Sequence, residues 1–287
     1  QLNMLDTLDV FTRKHSENVA SLTCRICEYL HCTKGFTEYC TICAYLHDIG
    51  KLYIPPQILQ KPGRLTDEEF ETHTTIGYDI CMKDLKLRPY AAGPLYHHEA
   101  LNGTGYPQGL TKKDIPYEAQ IITVADEYDA IVSKRQYKTH IGISDTLKLI
   151  IENAQPGKGL DKSSALSEIS SIAKLGKVNP IIVKCLFKVV LDDIYYEITC
   201  TQSYLDDIQD DLNRFKQIEK YEIKMNEAKT EKKKNYYMEG IKILLKKEET
   251  FEDYKRLYSE YSEAYTKRKA IIDNLWHEAK IIKKLKV

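Results

Sequence analysis

Five histidines and two aspartates recur in the first 130 residues in a pattern that core filling does not require: His15, the His47-Asp48 pair, His73, the His97-His98 pair and Asp126. Imidazole and carboxylate together suit borderline divalent metals such as iron, manganese or zinc. Seven such groups exceed what one ion takes, so their number predicts two ions sharing a bridging carboxylate. Two ions held about 3.5–4 Å apart activate a water and clamp a phosphodiester for in-line displacement. The other three histidines, His31, His140 and His277, lack such neighbours and read as ordinary polar groups.

The segments carrying these residues read as helices that aim them inward. His15 shares a stripe with Val19, Leu22 and Ile26, and His73 lies three residues from Phe70 and from Ile76. His47 and Asp48 end an apolar helix just before Gly50, and Asp126 sits among Ile122, Val124 and Ala125. A buried imidazole or carboxylate at such positions needs a partner, or desolvation removes its charge. Helices are expected at about 4–32, 38–48, 67–87, 90–99, 117–133, 144–154, 163–175 and 180–192, with a loop near 155–163. Thr66-x-x-Glu69 is a capping box, Pro89 stops the helix before it, and Asn179-Pro180 is a cap followed by proline at the first helical position. No sustained period-2 alternation argues for a sheet, so the fold class is all-α.

Lys+Arg and Asp+Glu are both 42 in 287 residues, so no basic field predicts a polymeric nucleic-acid partner. No apolar run reaches the roughly 18–20 residues that span a bilayer. The chain opens at Gln1 inside a helical pattern, which predicts an excised fragment with a sensory domain upstream. Cys24-x-x-Cys27 and Cys40-x-x-Cys43 have zinc-ribbon spacing but lie in helical patterns rather than on turns. They read instead as small buried thiols, and eight reduced cysteines predict a cytoplasmic protein.

Residues 1–200 hold twelve of the thirteen glycines and all nine prolines, while charged residues number 37 of the 87 in 201–287. The shift places a boundary near residue 200, between a catalytic domain (1–200) and a charged, Tyr-rich helical extension (201–287). In the extension Leu205, Ile208, Leu212 and Phe215 begin one stripe, and Phe251, Tyr254, Tyr258, Tyr261 and Tyr265 another. The second continues through Ile272, Leu275, Ala279 and Ile282. The stripes suit a helical hairpin, or a coiled coil that pairs two copies as a homodimer. An aromatic stripe of this kind reads as packing rather than as a ligand box.

Over residues 10–192 the chain resembles the HD-GYP family of the HD phosphohydrolase superfamily. The resemblance rests on His15-Ser16-x-x-Val19, on His47-Asp48-Ile49-Gly50-Lys51 with Ile54-Pro55, and on Lys61-Pro62-Gly63-x-Leu65-Thr66. It continues through His73-x-x-Ile76-Gly77, His97-His98-Glu99 and Asn102-Gly103-x-Gly105-Tyr106-Pro107-x-Gly109-Leu110. It closes with Ile115-Pro116, Val124-Ala125-Asp126-x-Tyr128-Asp129-Ala130 and Gly176-x-x-x-Pro180. The family implies an HD-type helical bundle, a non-haem iron or manganese centre, and hydrolysis of cyclic di-GMP to pGpG or GMP. Carried over, His15, His47, Asp48 and Asp126 would serve one ion. Asp48 would bridge to a second ion completed by His73, His97 and His98. Lys51 would contact the scissile phosphate, Arg135 and Lys138 would bind phosphate or guanine, and Tyr106 would line the pocket.

The sequence departs from the family at Leu101, often Trp, and at Asn102, often Asp. Phe11 stands where some members place a glutamate for a third ion, so two ions per chain are expected, not three. Two other functions compete with an active cyclic di-GMP phosphodiesterase. One is a catalytically silent module that binds a cyclic dinucleotide or a partner. The other is a phosphohydrolase with the same centre acting on a mixed cyclic dinucleotide.

Overall fold

The computed structural model describes residues 10–54, 67–133, 162–247 and 249–287. Arg135, Lys138, the Lys61-Pro62 motif, the Thr66 cap and the helix expected at 144–154 lie outside the described residues, as does the side chain of Phe11. Among the described residues there are nine α-helices and no strand. They are α1 (Val10–Tyr29), α2 (Lys34–Leu46), α3 (Asp67–Lys83), α4 (Ala92–Tyr96), α5 (Tyr117–Ser133), α6 (Lys162–Lys174), α7 (Pro180–Glu227), α8 (Glu231–Leu244) and α9 (Tyr254–Ile282). Short 3-10 turns at Ile49–Tyr53 and Arg88–Tyr90 precede α3 and α4.

The chain forms two compact units: Gln1–Asp192 together with Glu278–Val287, and Asp193–His277. In the first, α1 packs on α2 and on α5. Their shared core is Val19, Ile26, Cys27, Cys40, Cys43, Ala44, Ile121, Ile122, Val124 and Ala125, all buried. Thr33 Oγ1 caps α2 by accepting from Phe36 N at 3.3 Å, so the α1–α2 connection closes in four residues. The 3-10 turn after α2 packs against α3 so closely that a Cβ at Gly50 would stand 1.9 Å from the His73 carbonyl oxygen. Only glycine permits that approach, and it brings the His47-Asp48-Lys51 segment onto the helix bearing His73. Glu278 accepts from Lys162 N at 3.0 Å and Ser170 Oγ donates to Lys286 O at 2.8 Å, so residues 278–287 complete this unit.

The second unit is built on an aromatic core. Phe215, Ile218, Ile241 and Tyr254 are buried, with Tyr221, Phe251, Tyr258 and Tyr261 packed around them. The Leu205, Ile208, Leu212 and Phe215 stripe is buried as well. Arg214 is fixed by the Asp211 and Glu249 carboxylates and by the Leu244 carbonyl. No helix among the described residues is long and apolar enough to cross a membrane.

Three elements differ from the sequence expectation. The helix expected at 90–99 is only Ala92–Tyr96, flanked by the 3-10 turn at Arg88–Tyr90. The helix expected at 67–87 ends at Lys83, four residues earlier. The helix expected to end near 192 runs on to Glu227. Neither glycine nor proline occurs between Pro180 and Gly240, and a rise in charge does not break a helix.

Candidate metal centre

The structure gathers all seven predicted His and Asp side chains into one cluster. His15 comes from α1, Asp126 from α5, and His73 from α3; His47-Asp48 and His97-His98 directly follow α2 and α4. Three sets of ligand atoms, each within 4.8 Å of one another, can hold a metal ion: His15, His47 and Asp126; His73, His97 and His98; and His47, Asp48 and His97.

Asp48 lies between the first two sets and turns one oxygen to each. Its Oδ2 is 3.6 Å from His15 Nε2 and 3.3 Å from His47 Nε2. Its Oδ1 is 3.6 Å from His73 Nε2 and 3.9 Å from His97 Nε2. Lys51 Nζ reaches Asp48 Oδ2 at 2.5 Å from one 3-10 turn further on.

The ring nitrogens are oriented for ligation. His47 Nδ1 donates to Ala44 O at 2.6 Å, and His97 Nδ1 donates to Pro94 O at 2.9 Å. With Nδ1 engaged by a carbonyl, Nε2 of each ring is the nitrogen left to face the cluster. His73 Nε2 and His97 Nε2 converge to 3.3 Å. His47 Nε2 and Asp48 Oδ1 are buried with no hydrogen-bond partner. Buried polar atoms of this kind are rare unless a ligand satisfies them. Converging lone pairs of imidazole and carboxylate are a donor set for a divalent cation, so the residues present fit the metal that the sequence predicts.

Electrostatics agree. Burial opposes charge on His15, but hydrogen bonds to Asp126 and Asp129 outweigh it and push the pKa up to about 10. Burial also opposes ionisation of Asp48 and Asp126. The Lys51 ammonium and His47 overcome it for Asp48, and the His15 hydrogen bond overcomes it for Asp126, holding both well below the usual carboxylate range. Burial keeps His97 and His98 neutral, His98 with its pKa lowered to about 3. The cluster thus holds two ionised carboxylates beside the neutral His97 and His98 imidazoles.

Tyr106 stands beside the cluster, its ring centroid 4.8 Å from that of His98. The loop that carries it is shaped by Glu99. This buried carboxylate accepts from Gln108 N at 2.7 Å through Oε1 and from Leu110 N at 2.8 Å through Oε2. Gly105 lets the loop close, because a Cβ there would lie 2.2 Å from Ala100 N. Asn102 turns the start of the loop by accepting from Thr104 N and Thr104 Oγ1. Thr123 Oγ1, 2.7 Å from His97 O, ties the double-histidine turn to α5.

Sequence reasoning gave no role to Asp129, Asn18 or Glu99. Asp129 follows Asp126 by three residues, and Asn18 follows His15 by three. That one-turn spacing was the available signal. Glu99 offered none, because its partners are backbone groups of a loop. His31 and His277 are exposed, away from any ligand set. Cys27, Cys40 and Cys43 are buried in helices and Cys24 is partly buried. No cysteine enters a metal-capable group among the described residues.

A protein-family model described as HD domain matches residues 1–161. A cyclic di-GMP phosphodiesterase of Thermotoga maritima is 46% identical over 143 residues, covering 48% of this chain and 39% of that protein. A cyclic di-GMP phosphodiesterase of Pseudomonas aeruginosa is 34% identical over 152 residues, covering 52% of this chain and 37% of that protein. A 3'3'-cGAMP-specific phosphodiesterase of Vibrio cholerae is 35% identical over 153 residues, covering 52% of this chain and 33% of that protein. The matched segments thus span less than two fifths of these relatives' length.

Proposed function

This chain belongs to the HD domain family, and on that premise we propose that it is a metal-dependent phosphodiesterase acting on cyclic di-GMP. The observation that carries the reading is the placement of Asp48, with one carboxylate oxygen toward His15 and His47 and the other toward His73 and His97. We assign one ion to His15, His47, Asp48 and Asp126, and a second to Asp48, His73, His97 and His98. Iron and manganese suit this nitrogen and carboxylate set. Such ions supply Lewis acidity, lowering the pKa of a water and drawing charge from the phosphodiester.

The chain's own residues position and recognise. Lys51, partly exposed beside the buried Asp48, is a point charge suited to a phosphate oxygen. Tyr106, packed on His98, offers an aromatic edge to the pocket that receives a base. Arg135 and Lys138 remain assigned to phosphate or guanine on the resemblance alone. We assign the chemistry to residues 1–200 and self-association to the part of 201–287 that lies in the second unit, up to His277.

A mixed cyclic dinucleotide is the second reading, favoured by the 35% identity to a 3'3'-cGAMP-specific enzyme. One experiment separates the two. The manganese- or iron-loaded chain is given cyclic di-GMP, 3'3'-cGAMP and cyclic di-AMP, and products are resolved by chromatography. Preferential conversion of cyclic di-GMP to pGpG or GMP supports the first reading. Preference for 3'3'-cGAMP supports the second, and tight binding without turnover marks a silent module.

A further inference from the structure

Helices α1 and α5 face each other with a matched pair of residues, one helical turn apart on each. His15 Nε2 lies 3.0 Å from Asp126 Oδ1, and His15 Nδ1 lies 2.7 Å from Asp129 Oδ2. Asn18, one turn beyond His15, donates from Nδ2 to Asp129 Oδ1 at 3.0 Å. The imidazole is thus held between two carboxylates of a single helix, and the outer carboxylate is itself held by the helix that carries the imidazole.

This arrangement differs from that of the other histidines whose Nδ1 partner is known. His47 and His97 give their Nδ1 protons to backbone carbonyls, which are neutral and fixed by helix geometry. His15 gives its proton to a carboxylate. An anionic acceptor fixes the Nδ1–H tautomer, aims Nε2 at the cluster, and makes Nε2 a stronger donor to a cation. His15 needs this more than the others do. It is the sixth residue of a 20-residue helix, away from the C-terminal end where carbonyls are free to accept from its ring.

We propose that Asp129 is a positioning residue for the metal centre, holding His15 as a ligand of the ion it would share with His47, Asp48 and Asp126, with Asn18 locking Asp129 in place. This rests on the two-ion reading above. Asp129 belongs to none of the three ligand sets and on this proposal acts through His15. Its removal therefore weakens one ion and spares the ion assigned to His73, His97 and His98.

The test is manganese binding by the full chain, followed by isothermal titration calorimetry and by elemental analysis after gel filtration. In Asp129→Asn the side chain keeps its shape but loses its charge and offers Asn18 an NH2 group in place of one oxygen. We expect two sites in the unaltered chain and, in the variant, one site weakened about 10–100-fold with the other unchanged. Asn18→Ala removes only the lock, leaving His15 and both carboxylates present, and should weaken the same site by a smaller factor. General loss of structure would weaken both sites together. Equal weakening of both sites by Asn18→Ala, or two unaltered sites in Asp129→Asn, overturns the role of Asp129. An unaltered chain that takes up no manganese overturns the metal reading itself.

Discussion

Lys51 Nζ lies 2.5 Å from Asp48 Oδ2, joining a partly exposed ammonium to a fully buried carboxylate across one 3-10 turn. The pair explains how Asp48 stays ionised where burial alone would protonate it. It also places a positive charge at the edge of the cluster.

Because a protonated lysine cannot ligate a metal, Lys51→Ala is expected to leave metal content nearly unchanged and to slow turnover. Loss of one preorganised electrostatic donor typically costs about 10²–10³ in kcat, or roughly 3–4 kcal/mol. Elemental analysis beside steady-state kinetics decides the matter. Loss of metal together with activity would assign Lys51 to holding Asp48 rather than to the substrate.

Asp48→Ala and His47→Ala are expected to abolish hydrolysis and lower bound metal. Asp48 faces both ligand sets, so its loss should deplete both ions, whereas His47→Ala should deplete chiefly one. Product chromatography and metal analysis check this. Full activity in Asp48→Ala would end the two-ion reading.

Proton release on metal uptake is a further expectation. The pKa of His15 is pushed up to about 10, so at neutral pH the ion-free chain carries a proton on that ring. A cation taking Nε2 must displace it. A raised pKa means the proton is held below about pH 10, so metal affinity should increase with pH through the neutral range. The limit is roughly tenfold per pH unit for one proton displaced. Calorimetry in buffers of differing ionisation enthalpy counts the protons, and a count of zero contradicts the assignment of His15 Nε2 as a ligand.

Glu99→Gln is expected to alter substrate affinity more than metal content. Glutamine accepts from only one of the Gln108 and Leu110 amides and sets an NH2 group against the other. A mismatch of that kind costs about 1–3 kcal/mol. The loop carrying Tyr106 should loosen and KM should rise with the ions retained. An unchanged KM would show that the loop holds its shape without Glu99.

Much of this was legible in the sequence because the ligands follow rules of local spacing. His15 and Asp126 occupy inward positions of amphipathic helices, and α5 has the expected limits, residues 117–133. What the sequence hid is set by tertiary approach. The pairing of His15 with Asp129 depends on how α1 and α5 face each other, which neither helix specifies alone. The short α4 follows from Gly93 and Pro94, which oppose a longer helix, while the turn at His97-His98 delivers the rings to the cluster and sends Glu99 into the loop. The run of α7 to Glu227 shows that a compositional shift near residue 200 need not end a helix.

Residues 278–287 close the first compact unit, contributing the buried Ala279 and Ile282 beside the Glu278 and Lys286 contacts. That unit is therefore discontinuous along the chain, with its two parts separated by the 85 residues of Asp193–His277. On a ribosome, synthesis proceeds at about 5–20 residues per second and N-terminal domains ordinarily fold first. Here the closing segment of the first unit is made several seconds after the rest of it, once segment 193–277 has been synthesised.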